Sequence, residues 1–308
     1  MKKEAQSTSD ARALIFGEVL FDAFAGGVEV LGGAPFNVAW HLQGLGMQPL
    51  FVSRIGDDER GARVLRAMQD WGMDTRGLQR DDECPTGLVR IDIRDGQPVF
   101  DILPAQAYDH IDSSYALRAA FSSAIDVIYH GTLALRSAVS RTTLHTLRAR
   151  LDTRVYVDLN LRSPWWSESD VNEALFGATW VKLNDEELGL IAEGLGIGDE
   201  QQARALCKRF GIQSLVVTRG SNGAFIRTAD RIAQGDATCV DKLVDTVGAG
   251  DAFATVALIG FTRGWPAEQT LARALDFAAW ICGVRGATVA DVDRYALFRE
   301  AWGLDVEC

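Results

Sequence analysis

Asp245-Thr246-Val247-Gly248-Ala249-Gly250-Asp251-Ala252-Phe253 is a glycine-rich turn running into an apolar stretch, Ala252–Ile259, that reads as a helix. Small residues let a backbone come close to an anion, and a helix N-terminus turns unbonded N–H groups toward it. Asp251 stands at the mouth of that hole, where a carboxylate can take a proton from a hydroxyl. Taken alone, the segment fits a phosphoryl-transfer centre and a plain strand-to-helix turn with an acidic first residue about equally.

Around it, short apolar runs bounded by turn residues recur at Ala13–Phe16, Leu50–Ser53, Val127–His130, Val155–Asp158, Trp180–Leu183, Leu215–Thr218 and Ala224–Ile226. Helix-patterned segments alternate with them: Phe36–Leu45, Glu59–Trp71, Ser137–Arg150, Glu200–Phe210, Ala252–Thr262 and Ala267–Val284, several closed by a glycine such as Gly72, Gly211 or Gly264. That alternation predicts an α/β fold with a mainly parallel, Rossmann-like sheet flanked by helices. Thr86–Leu103 departs from it, alternating apolar and polar residues around Asp95-Gly96 as a β-hairpin with one covered face does. The expected organisation is a single domain over 1–308, with a small β lid formed mainly by 84–105 and a short contribution from about 18–34.

The 308 residues carry a formal charge of −11 and a pI near 4.9, without a Lys/Arg run, which argues against a nucleic-acid partner. Nucleotide phosphates are a different matter, because backbone N–H groups, a few side chains and a metal ion hold them rather than global charge. Cys84, Cys207, Cys239, Cys282 and Cys308 are scattered, odd in number and without a C-x-x-C pair, so a reducing cytoplasm is expected rather than a disulfide framework or a zinc site. The opening MKKEAQSTSDAR is polar and no apolar stretch reaches membrane-spanning length, so neither a signal peptide nor a membrane partner is expected.

DTVGAGDAF resembles the C-terminal signature of the ribokinase/PfkB sugar kinases, and further segments resemble that family in its own order from about Gly17 to Ala287. The resemblance implies a ribokinase-like fold, an ATP-dependent sugar kinase using Mg²⁺, Asp251 as catalytic base, and the N–H groups of Gly248, Ala249 and Gly250 as an anion hole. It also implies a monovalent cation, K⁺, at Asp245 and the Val247 carbonyl. Gly32-Gly33-Ala34-Pro35-Phe36-Asn37-Val38-Ala39 looks like the N-terminal signature, in which Gly32, Gly33 and Asn37 contact sugar hydroxyls. Gly17-Glu18-Val19-Leu20-Phe21-Asp22 resembles the strand whose terminal Asp22 binds sugar. Asn184-Asp185-Glu186-Glu187 fits an N-x-x-E motif, with Asn184 on the nucleotide and Glu187 acting indirectly on Mg²⁺. Thr218-Arg219-Gly220-Ser221-Asn222-Gly223 fits a T-x-G-x-x-G nucleotide loop carrying Thr218, Gly220 and Gly223. Each piece alone has a bland alternative. Asn184 and Glu187, for instance, have the spacing of a helix capping box.

Asp158-Leu159-Asn160-Leu161-Arg162, followed by Trp166, resembles a stretch common to fructokinases and 2-keto-3-deoxygluconate kinases, implying acceptor contacts from Asn160 and Arg162. Keto-acid kinases usually carry a further arginine near the flap, where a bidentate fork holds a carboxylate. Here the flap ends Phe100-Asp101-Ile102-Leu103 without one, so a neutral hexose, D-fructose, is the preferred acceptor. A 2-keto-3-deoxygluconate kinase, a ribokinase, a nucleoside kinase and a non-enzymatic sugar- or nucleotide-binding regulator are the alternatives. The segment Ala23–Leu31 is shorter than the lid excursion of many relatives, and an exposed hairpin edge suggests a homodimer through the lid. His130, at the end of a central strand, is read first as a satisfied structural histidine; Trp40 and His41 as packing or surface residues.

Overall fold

The computed structural model describes residues 12–24, 26–94, 97–240 and 242–305, so the Asp95-Gly96 turn and Cys308 lie outside the described residues. The first half of the chain runs β1 (Arg12–Phe16), β2 (Leu20–Phe24), β3 (Glu29–Gly32), α1 (Ala34–Gly44), β4 (Leu50–Gly56), α2 (Glu59–Asp70), β5 (Leu78–Asp81), β6 (Gly87–Arg94), β7 (Gln97–Ile102), α3 (Ser113–Phe121), β8 (Ile125–His130) and α4 (Ala138–Arg150). The second half runs β9 (Arg154–Asp158), α5 (Glu168–Leu175), β10 (Trp180–Asn184), α6 (Asp185–Ile191), α7 (Asp199–Phe210), β11 (Ser214–Thr218), β12 (Ala224–Thr228), β13 (Ile232–Gly235), α8 (Ala249–Arg263), α9 (Ala267–Cys282) and α10 (Val292–Trp302).

A nine-stranded sheet has the order β13-β12-β11-β10-β9-β8-β1-β4-β5. It is parallel from β5 to β11 and turns antiparallel only through β12 and β13. Strands buried on both faces need apolar residues at every position, which is why Leu14-Ile15-Phe16 and Leu215-Val216-Val217 read as unbroken runs. Alternate side chains feed two cores. Ile15, Phe51, Tyr129, Tyr156 and Val216 pack on one side with α1, α8, α9 and α10. Leu14, Val52, Ile128, Val157 and Leu215 pack on the other with α3, α4, α5 and α7.

The chain leaves β1 for β4 on one side of it and for β8 on the other. Strand order therefore reverses at β1, and such a switch point opens a crevice beyond the carboxyl ends of the strands. Over that crevice lies a second, four-stranded sheet of order β3-β2-β6-β7. The hairpin expected over Thr86–Leu103 is present as β6 and β7, paired from Val89–Ile102 to Arg94–Gln97. The early segment contributes more than the short piece expected, since β2 and β3 supply half of the lid strands and β2 lies parallel to β6. Its back face is anchored on α2: Phe21 is buried with the Arg63 guanidinium 4.3 Å from its ring centre, and Glu29 accepts hydrogen bonds from Arg60 and Arg63 at 2.6 Å. Among the described residues no helix is long and apolar enough to cross a membrane.

Candidate active site

Three helix starts, those of α1, α6 and α8, meet the ends of β1, β9, β10 and β11 at the crevice. At α1, Gly33 has φ 112° and a methyl there would stand 2.9 Å from the Glu18 carbonyl, so only glycine lets this turn lie against the end of β1. The turn delivers Asn37, buried on the first turn of α1, to α8. Its Nδ2 donates to Asp251 Oδ2 at 2.7 Å, while its Oδ1 is buried without a partner.

Gly248, the N-cap of α8, has φ 82°, and a methyl there would lie 2.5 Å from the Ala287 side chain. The left-handed turn has a direct result. The Ala249 N–H closes onto the Thr246 carbonyl at 3.3 Å, and the first helical bond is Ala252 N–H to the Gly248 carbonyl at 2.8 Å. Of the N–H groups ahead of that bond, that of Ala249 is thus taken, and those of Gly250 and Asp251 point out of the helix, as in any helix N-terminus. Asp245 braces the turn from below, accepting from the N–H of Val247 at 3.0 Å and of Gly286 at 3.3 Å.

An open cavity of about 590 Å³ joins these parts. Among the residues singled out from sequence, Asp22, Gly33, Asn37, Asn160, Arg162, Asn184, Glu187, Thr218, Val247, Gly248, Gly250 and Asp251 line it. Gly32, Ala249, Gly220, Gly223 and Asp245 do not. Gly32 lies just behind: a methyl on it would be 3.7 Å from both Asn37 Oδ1 and Asp22 Oδ2. Gly223 carries the β11–β12 turn, where a side chain would collide with the Gly235 carbonyl.

The capping box anticipated as a bland alternative is present. Asn184 Oδ1 accepts from the Glu187 N–H at 2.8 Å and Glu187 Oε2 from the Asn184 N–H at 2.9 Å. The other oxygen, Oε1, accepts from the Leu161 N–H at 2.7 Å. Glu187 thus fastens the start of α6 to the loop that presents Asn160, in the left-handed region at φ 44°, and Arg162. Trp40 and His41 pack: Trp40 stacks on Trp71 with ring centres 5.0 Å apart, and His41 Nδ1 pairs with Tyr295 Oη at 2.6 Å. His130 is fully buried, bonded through Nδ1 to the Gly131 carbonyl, and does not line the cavity.

Sequence reasoning missed Lys182 and Glu18. Lys182 is a lone cation inside the apolar run Trp180–Leu183, and a charge in a buried strand calls for a partner. It has one in Asp158, at the end of the neighbouring strand, whose oxygens lie 2.9 and 3.0 Å from Nζ; Tyr129 Oη also donates to Asp158 at 3.1 Å. Burial pulls the Lys182 pKa down, but Asp158, with Glu187 and Asp251 behind it, more than offsets this, and the ammonium is held above its ordinary range. Nζ lies 3.7 Å from where a methyl on Gly250 would sit, beside the open N–H groups of α8. Glu18, next to Gly17 at the end of β1, lines the cavity with Oε2 buried and unpartnered.

Asp251 and Asp22 hold their protons unusually tightly. Burial, reinforced by Asp158, pushes Asp251 up to about 6 against the opposing pull of the Asn37 hydrogen bond, Lys182 and Arg162. Burial likewise lifts Asp22 to about 6, with Arg162 pulling it down. On the lid side the wall is apolar, with Leu20, Val89, Phe100 and Ile102 facing in. The site can therefore enclose a small molecule under an apolar cover, accept protons from its hydroxyls, and face an anion with N–H groups and an ammonium.

Fructokinase-2 of rice (Oryza sativa subsp. japonica) is 26% identical to this chain over 311 residues, 92% of each. The solved structure of fructokinase with bound ATP from Xylella fastidiosa has a TM-score of 0.84 at 24% identity, covering 96% of this chain and 99% of that one; at that identity the likeness concerns the fold. A fructokinase double mutant from Vibrio cholerae O395, in a form with fructose, ADP and potassium ion bound, has a TM-score of 0.79 at 25% identity over 94% and 99% of the two chains. The family model of the pfkB family carbohydrate kinases matches residues 16–293, a span that takes in every residue of the cavity. The chain therefore belongs to the pfkB family of carbohydrate kinases, phosphotransferases that act on an alcohol group.

Proposed function

We propose that the protein transfers the γ-phosphoryl group of ATP to a primary hydroxyl of a neutral hexose, D-fructose, with Asp251 as general base. The observation that carries this is the convergence of hydrogen-bond acceptors on one side of the cavity. Asp22, Asp251 and the free Oδ1 of Asn37 all seek donors, and a polyhydroxylated acceptor supplies them. Five carboxyl groups, those of Glu18, Asp22, Asp158, Glu187 and Asp251, line the cavity against two cations, Arg162 and Lys182. That balance disfavours an acceptor with its own carboxylate, such as 2-keto-3-deoxygluconate. The names of the curated relatives agree with the choice of fructose.

Asp251 Oδ2 is held by Asn37, which leaves Oδ1 to take the proton of the attacking hydroxyl. As that proton moves, the hydroxyl oxygen bonds to the γ-phosphorus and the bond to the β-phosphate oxygen breaks, releasing ADP. Charge on the transferring group meets the N–H groups at the start of α8 and the Lys182 ammonium, both fixed before substrate arrives. Asn184 and Thr218 stand on the nucleotide side.

Among the described residues no three His, Cys, Asp or Glu side chains lie close enough to hold a metal ion. Magnesium fits as an ion carried on the nucleotide phosphates and keeping most of its waters, with Glu187 reaching it through water. When bound it neutralises phosphate charge. A potassium ion would be held by the Val247 carbonyl and by Asp245, whose two oxygens already accept from the Val247 and Gly286 N–H groups, and would add positive charge beside the α8 turn.

A nucleoside kinase is the second reading, favoured by the apolar lid wall around Phe100. Steady-state assays with MgATP over fructose, ribose, 2-keto-3-deoxygluconate and adenosine, in K⁺ and in Na⁺, separate these. Fructose is expected to give the highest kcat/KM by at least about tenfold, the upper end of the net worth of one hydrogen bond. A higher value for any other compound rejects the acceptor assignment.

A further inference from the structure

Glu18 has no part in the transfer chemistry above, yet it is among the most costly residues in the cavity. It is 4% exposed, it follows β1 at the switch point of the sheet, and its Oε2 is buried without a hydrogen-bond partner. Its side chain forms part of the cavity wall together with Asp22, Asn37 and Asp251. A buried carboxyl group with one oxygen unpartnered destabilises the folded chain, and an apolar residue at this place would not. Departures of this kind from local consistency collect where a ligand completes the set of partners.

We propose that Glu18 is a specificity-determining residue of the acceptor site: its free Oε2 takes a hydrogen bond from an acceptor hydroxyl, and its carboxyl group turns away acceptors that carry a carboxylate at that end of the cavity. The assignment rests on the cavity being the acceptor site of a sugar kinase. Asn37 Oδ1, also buried and unpartnered, is a second vacant acceptor in the same wall, so a polyol can satisfy both with adjacent hydroxyls. The charged groups acting on Glu18 come from three directions: Arg162 in the loop after β9, Asp251 on α8, and Arg136 ahead of α4, with Tyr108 under the lid feeling its charge in turn. Arg136 is taken up by Asp109, at 2.8 Å, and by the Leu103 carbonyl, so it does not neutralise Glu18 by direct contact. Burial outweighs a hydrogen bond from the residue's own backbone and the pull of the two arginines, and lifts the Glu18 carboxyl to about 7.

Glu18→Gln keeps the shape and removes the charge; Glu18→Ala removes the contact. Both are compared with the unaltered protein for KM and kcat on fructose and on 2-keto-3-deoxygluconate at fixed MgATP, with thermal midpoints at pH 8 and pH 5. Glu18→Ala is expected to raise the fructose KM roughly 10- to 100-fold while kcat and the ATP KM stay within about threefold. Glu18→Gln is expected to shift the ratio of kcat/KM values toward the keto acid by about tenfold or more. Its midpoint should rise at pH 8, where the unaltered carboxyl group is charged, and the gain should shrink at pH 5, where that group is protonated in the folded protein. An unmoved fructose KM in Glu18→Ala, or an unmoved acceptor ratio in Glu18→Gln, overturns the assignment while leaving the kinase reading intact. Should Glu18→Ala not fold, the Glu18→Gln ratio decides alone. If the unaltered protein phosphorylates no polyol, the kinase reading and this assignment fall together.

Discussion

As the proposed base, Asp251 has to be ionised to act, and its surroundings make ionisation hard. Burial and Asp158 push its pKa up to about 6; the Asn37 hydrogen bond is the largest influence pulling it back. Turnover at saturating substrates should therefore fall as pH drops through about 6, by about tenfold per pH unit once the carboxylate is the minor form. Removing the Asn37 donor takes away a stabiliser of the charged form. In Asn37→Ala the acid limb should consequently move to higher pH, which a pH–kcat profile reads directly; a limb that stays in place or moves down contradicts the role given to that contact. At this scale legibility followed local pattern. Asp251 was visible because its meaning lies in the five residues before it. Lys182 and Glu18 were not, because their meaning comes from groups far along the chain: Asp158 lies 24 residues from Lys182, and Glu18 is defined by the partner it lacks.

At the scale of elements, the start of α8 is the most constrained backbone in the site. Gly248 combines a left-handed φ of 82° with a methyl-sized space already filled by Ala287. Gly248→Ala should shift the turn and misaim the N–H groups that follow it. A loss of kcat on the order of 10² is expected, with ATP affinity changed much less, since losing one well-placed donor costs about that much in other oxyanion sites. Stopped-flow or steady-state kinetics with equilibrium nucleotide binding test it; a variant with ordinary kcat would show that the turn's geometry does not carry the transfer step. The elements themselves were largely readable. Parallel strands buried on both faces announce themselves as apolar runs, and α2, α7 and α8 are each followed by a glycine, Gly72, Gly211 or Gly264, in the left-handed region. The lid was less so. β2 is held by pairing with β6, β3 by pairing with β2, and both by the grip of α2 on Phe21 and Glu29, and none of these causes is visible in a stretch of five residues read alone.

For the whole molecule, the sheet order explains why motifs spread from Asp22 to Asp251 belong to one site. The ends of β1, β9, β10 and β11 converge there, α1 and α8 bring their N-termini to the same point, and the lid adds an apolar wall. The groups proposed for the acceptor, Asp22 and Asn37, and those proposed for the nucleotide, Asn184 and Thr218, thus line one cavity with Asp251. The glycine-rich turn at Gly248 and the paired signatures made the reaction class legible from sequence. The acceptor was legible only in part, because it depends on the balance of carboxyl groups and cations that the fold assembles. The most direct test of the central claim is phosphoryl transfer by Asp251→Asn, measured in a single turnover with saturating MgATP and fructose, alongside nucleotide binding by calorimetry. The account predicts that transfer falls at least about 10²-fold, the lower end of what a general base supplies, while ATP affinity stays within a few-fold. A variant that transfers phosphate at near the original rate would contradict it.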